Sequence, residues 1–98
     1  MTKIVNIKTD EYDIYIGREN KKYGLKWSIW SNPFKIGIDG TRKEVIEKYR
    51  KHITNMLFYN PELLKELEKL RGKILGCWCK PKACHGDVII ELLDENYE

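Results

Sequence analysis

The chain has 98 residues, 42% of them hydrophobic and 34% charged, with a net charge of +3 and a pI of about 8.7. That length argues for one domain, residues 1–98, with room for one hydrophobic core and little stability to spare. The composition is that of a folded chain rather than a disordered one, and no stretch approaches the ~18 apolar residues of a membrane span.

The basic balance helps attract phosphates but falls short of the pI above about 9 that marks a nucleic-acid footprint. The N-terminal MTKIVNIKTDEYDIY has no apolar run of signal-peptide type. Three cysteines is an odd number, and Cys77 and Cys79 stand too close for an unstrained bridge. Free thiols or a metal in a reducing, cytoplasmic setting are therefore expected.

In chain order, Ile4 to Lys8 is a short β-branched strand, and Tyr12 to Gly17 alternates with a period of two. The short polar connection between them favours an antiparallel pair. Residues 18–40 have no clean periodicity but carry Tyr23, Trp27, Trp30 and Phe34 among glycines, serines and asparagines. Such a segment reads as an ordered binding loop, with a short strand near Phe34 to Ile38. Thr41-Arg42-Lys43-Glu44 is a capping box opening a helix to about Phe58, with Val45, Ile46, Tyr49, Ile53, Met56 and Leu57 on its inner stripe. Asn60 as N-cap and Pro61 start a second helix, which ends at Gly72. Lys73 to Cys79 is a continuous apolar strand, and Gly86 or Asp87 begins the last helix. The order β-β-loop-α-α-β-α predicts a small single α/β domain, with a short mixed sheet covered by helices.

The chemistry concentrates in Lys73 to Glu91, KILGCWCKPKACHGDVIIE, which holds all three cysteines and one of the two histidines. A loop leaving a strand's carboxyl end and entering a helix exposes free amides and the positive end of the helix dipole. Cys79, Lys80 and Gly86 are expected to bind ligand there. His85 is expected to act as acid or base, with Asp87 or Cys84 assisting, and Cys84 is itself a candidate nucleophile at a helix start. The structural alternatives are dipole compensation for Asp87 and a helix-start hydrogen bond for His85. The set Cys77, Cys79, Cys84 and His85 also offers zinc ligands, but all four sit on one corner, and buried or site-lining thiols are the preferred reading.

Elsewhere, Arg18 at a strand's end is placed to fork onto an anion. Trp30 is expected to stack on a base or to close the core beneath the loop. Asn32 is expected to read a base edge or brace the loop, and Phe34 to close the core.

These residues resemble a family known only as a domain of unknown function, found in phages, large viruses and bacteria. The resemblance rests on Tyr15-Ile16-Gly17-Arg18, Trp30-Ser31-Asn32-Pro33-Phe34, Gly40-Thr41-Arg42 and Gly72-Lys73 through Cys77-Trp78-Cys79-x-Pro81-x-x-Cys84-His85-Gly86-Asp87-Val88. Ser31 stands where members usually have glycine. The family brings no activity or cofactor. It implies a ligand or catalytic site at loops and strand ends, built from Arg18, Asn32, Cys79, Cys84, His85 and Asp87, and it makes a phage or bacterial origin plausible.

The expected function is binding or processing of a nucleotide-like, phosphate-bearing small molecule between the 18–40 loop and the Cys79–Asp87 corner. Phosphate or N-glycosidic bond chemistry is the class if the protein is an enzyme. The alternatives are a zinc-stabilised module for nucleic acid or protein, and a protein-interaction domain with Trp27 and Trp30 as exposed anchors.

Overall fold

The computed structural model describes residues 2–95. Three short strands, β1 (Lys3–Asn6), β2 (Ile14–Tyr15) and β3 (Ile74–Cys77), form one sheet in the order β1-β3-β2. Three helices, α1 (Arg42–Tyr59), α2 (Leu63–Glu68) and α3 (Gly86–Glu95), complete an α/β domain.

The sheet is parallel throughout. Both β1 and β2 run alongside β3, with Val5 and Tyr15 each opposite Gly76. The expected antiparallel pairing of the first two strands is therefore corrected. β3 is apolar along its length and fully buried from Leu75 to Cys77, so it takes the centre, where both edges of its backbone are paired. The 7–13 connection crosses β3 on one face. Glycine at 76 makes this crossing feasible, since a Cβ there would lie 2.5 Å from Ile7 Cγ2 and 2.8 Å from the Tyr12 ring.

The opposite face carries Leu75 and Cys77, with Ile16 just beyond β2 in the same core cluster. Tyr49 and Ile53 of α1, Leu67 of α2, and Val88, Ile89 and Leu93 of α3 join them there. α1 begins with the expected capping box: Thr41 Oγ1 accepts from the Glu44 amide at 3.2 Å, and Glu44 Oε1 accepts from the Thr41 amide at 2.9 Å. Asn60 caps the end of α1 by donating its amide to Met56 and makes no side-chain cap for α2, whose N-cap is Glu62. Gly72 turns the chain into β3 with φ of 78°. No strand forms at residues 34–38; a tight turn there is closed by an isolated bridge between Ile36 and Gly40.

Because all three strands are parallel, their carboxyl ends share one edge of the sheet. Arg18, Cys79 and the start of α3 emerge there, the edge where α/β domains commonly place ligands.

Candidate functional site

At that edge lies a cavity of about 90 Å³. Its floor is Cys77, Cys84 and His85. Gly17 and Arg18 border it from β2, Trp78 and Cys79 from the β3 exit, and Asn32, Phe34 and Ile36 from the loop. Arg42, Val45 and Ile46 border it from the first turns of α1. Five of the six site residues that the resemblance implied (Arg18, Asn32, Cys79, Cys84 and His85) thus meet in one cleft with Cys77, from three separate parts of the chain.

Arg18 is held by a local device. The Tyr15 hydroxyl donates to the Arg18 carbonyl at 2.6 Å and accepts from Trp78 Nε1 at 2.8 Å. The Tyr15 ring lies so close over Gly17 that a Cβ there would fall 2.3 Å from its oxygen. This explains the spacing of Tyr15, Gly17 and Arg18: an aromatic folds back, a glycine lets it, and the arginine follows. The Arg18 side chain is exposed and makes no hydrogen bond or ion pair among the described residues. Arg42 is the second cation of the cleft, with Nη1 donating to the Ala83 carbonyl at 2.9 Å. No Asp or Glu lines the cavity.

His85 is buried. Its Nε2 stands 2.8 Å from the Ile16 carbonyl, and since a carbonyl only accepts, that nitrogen carries the proton. Nδ1 is then the basic atom, without a partner among the described residues. It is not sealed away, because no fully buried side-chain nitrogen or oxygen there lacks a partner. Burial lowers the His85 pKa, with the Ile16 carbonyl opposing and the Arg18 charge reinforcing the shift. The ring also meets Tyr49 edge-on at 5.0 Å. No hydrogen bond joins His85 to Cys84, so the adjacent pair does not form a nucleophile and its base.

The sulfurs of Cys77 and Cys84 are 3.5 Å apart and both residues are buried. Either thiol can donate across this contact. The Cys84 thiol first, then the amides of Lys80 and Cys79 and the Lys80 charge, outweigh burial and lower the Cys77 pKa to about 6. Cys84 is pushed up by that same contact and by burial. The lowered pKa thus falls on Cys77 rather than on Cys84, the expected nucleophile.

Five of the expected residues have structural duties. Asp87 accepts from the Cys84 amide at 3.1 Å and from Lys80 Nζ at 2.7 Å, so both Asp87 and Lys80 brace the corner and neither lines the cleft. Gly86 packs against the core: a Cβ there would lie 2.7 Å from Ile4 Cδ1 and 3.0 Å from Ile16 Cδ1. Asn32 donates to the Val45 carbonyl and accepts from the Phe34 amide, which is the bracing role rather than base reading. Trp30 is 4% exposed and outside the cleft. Its carbonyl accepts from the Tyr49 hydroxyl at 2.8 Å, so it is neither a stacking platform nor an exposed anchor, whereas Trp27 is 63% exposed.

Among the described residues no three His, Cys, Asp or Glu side chains converge as a metal site. The Cys77, Cys79, Cys84 and His85 set is not assembled, since His85 turns to Ile16 and Cys79 joins no thiol contact. Arg42 was missed in the sequence because it reads as an ordinary first-turn residue. The Gly40-Thr41-Arg42 start, which fixes the direction of α1, was the available signal.

A family model described as a domain of unknown function (DUF4326) matches residues 2–95. The chain belongs to this family. An uncharacterized protein of Acanthamoeba polyphaga mimivirus is 37% identical over 98 residues, covering 88% of this chain and 72% of its own. An uncharacterized 12.4 kDa protein from the nrdA-td intergenic region of Enterobacteria phage T4 is 31% identical over 99 residues, covering 100% and 82%. No solved structure matches the chain significantly. Among the described residues no helix is long and apolar enough to cross a membrane.

Proposed function

We propose that the cleft binds the phosphate-bearing end of a nucleotide-like molecule. One observation carries this reading: two arginines, Arg18 and Arg42, border a cavity that no carboxylate lines. An unpaired guanidinium beside a second one favours a multivalent anion, and arginine's planar fork suits phosphate geometry. Lys80, by contrast, is already neutralised by Asp87. Phe34, Ile36, Ile46 and Trp78 supply apolar walls for a ring or sugar. The volume supports an end rather than a whole molecule, since pockets enclosing a ligand run to about 300 Å³ or more.

The floor carries the groups for processing. A neutral imidazole with Nδ1 unoccupied can accept a proton, and a buried sulfur with lowered pKa lies beside it. His85 would take the acid–base role in phosphate or N-glycosidic bond chemistry. A host-cell cytoplasmic setting is part of the same reading.

Calorimetric titration with nucleoside monophosphates and the matching nucleosides tests the proposal. Phosphate should be required for binding, and Arg18→Ala or Arg42→Ala should each cost about tenfold in affinity or more, as expected for a lost charged hydrogen bond. Equal binding of nucleoside and nucleotide, or arginine variants that bind like the wild type, would overturn it.

A further inference from the structure

The cleft has a neighbour. A shallower depression of about 240 Å³ is lined by Tyr15, Arg18, Glu19, Asn20 and Trp78. Arg18 and Trp78 border both cavities, so one guanidinium and one indole stand between them. Around this ridge cations and rings alternate. Lys8 Nζ lies 5.5 Å from the Trp78 ring, the Tyr23 ring meets Trp78 edge-on at 5.2 Å, and Lys22 Nζ lies 5.7 Å from Tyr23. Tyr23 is 53% exposed.

The charge is concentrated in the same place. Residues 18–40 hold Arg18, Lys21, Lys22, Lys26 and Lys35 against Glu19 and Asp39, a net +3 equal to that of the whole chain. None of these five cations joins an ion pair among the described residues. Such a loop, with exposed aromatics between its lysines, is complementary to a polyanion with stackable bases.

We infer that the ligand is a single-stranded nucleic acid whose end enters the cleft, with the next nucleotide in the Tyr15–Trp78 depression and the strand continuing along residues 18–38. This rests on the cleft being the phosphate site. Arg18, standing between the cavities, is placed to hold the phosphate linking the two nucleotides. A duplex end is too bulky for the cleft, and the exposed Tyr23 and Trp27 faces suit unpaired bases.

Fluorescence anisotropy with labelled single strands of about ten nucleotides, as DNA and as RNA, tests this against a duplex and against competing nucleoside monophosphate. At least one single strand should bind tenfold tighter than the monophosphate and than the duplex, with a steep loss on adding salt. The triple variant Lys21→Glu, Lys22→Glu, Lys26→Glu and the variant Trp27→Ala should each lose tenfold for the strand while keeping monophosphate affinity. Strands that bind no tighter than the monophosphate, or loop variants that bind strands like the wild type, would overturn the inference and leave the cleft reading standing. Absence of monophosphate binding as well would overturn both.

Discussion

Gly17→Ala probes the device that positions Arg18. An ideal Cβ at residue 17 falls 2.3 Å from the Tyr15 hydroxyl oxygen and 2.5 Å from the ring carbon bearing it. The ring is held in place, because its hydroxyl bonds Trp78 Nε1 and the Arg18 carbonyl. If the ring stays, the site is overpacked, at a cost of about 1–3 kcal/mol. If it swings out, two hydrogen bonds worth about 0.5–1.5 kcal/mol each are lost. Both routes centre on about 2 kcal/mol. In a domain of this size each kcal/mol moves Tm by about 4–8 °C, so a fall of about 8–16 °C is expected. Urea denaturation of Gly17→Ala, Tyr15→Ala and the double variant isolates the contact. Once Tyr15 is alanine, the added methyl should cost under about 0.5 kcal/mol, leaving a coupling above about 1 kcal/mol. Equal costs of Gly17→Ala in both backgrounds would refute the reasoning.

The remaining predictions concern the floor and the loop. In a Cys79→Ser background, iodoacetamide should alkylate Cys77 with a pH midpoint of about 6, and adding Cys84→Ala, which removes the main cause, should raise that midpoint; an ordinary thiol midpoint of about 8.5 for Cys77 in the Cys79→Ser protein would contradict the pairing. The folded-state pKa of His85 is depressed from 6.5, so the unfolded chain takes up that proton first. The stability this group contributes is present above pH 6.5 and drains away as the pH falls below it. Urea midpoints should therefore drop less between pH 7 and pH 5 in His85→Gln than in wild type. Asn32→Ala removes the buried bond to the Val45 carbonyl and the part-buried bond from the Phe34 amide and should cost about 1–3 kcal/mol by denaturation without changing the preference among nucleobases; a changed preference would restore Asn32 as a base reader.

The helices were legible in the sequence because their signals are local. Thr41 and Glu44 announce a capping box in four residues, and the Val45, Tyr49, Ile53 stripe has helical spacing. The parallel sheet was not, because strand partnership is decided by which strand needs both edges covered. Gly76, whose missing side chain admits Ile7 and Tyr12, is visible only once the chain is folded. Within the site, residue types and rough location were readable from Arg18 and the Cys77–Asp87 block. Division of labour was not. Asp87, Lys80, Gly86 and Asn32 have the chemistry of ligand-binding residues but spend it on the corner and the loop. Trp30 and Trp27 look interchangeable in sequence, yet the Tyr49 bond buries the Trp30 segment and leaves Trp27 outside. The Cys77–Cys84 contact, and the amides that favour acidity at Cys77, are located by no spacing rule.

The most direct test of the anion cleft is side-chain ¹⁵N NMR during titration with a nucleoside monophosphate. The account predicts saturable shifts of the Arg18 and Arg42 guanidinium signals, with His85 Nδ1 shifting alongside them and the ammonium of Lys69, just past α2, staying still. Shifts that bypass both arginines, or that spread evenly over the surface lysines, would contradict it.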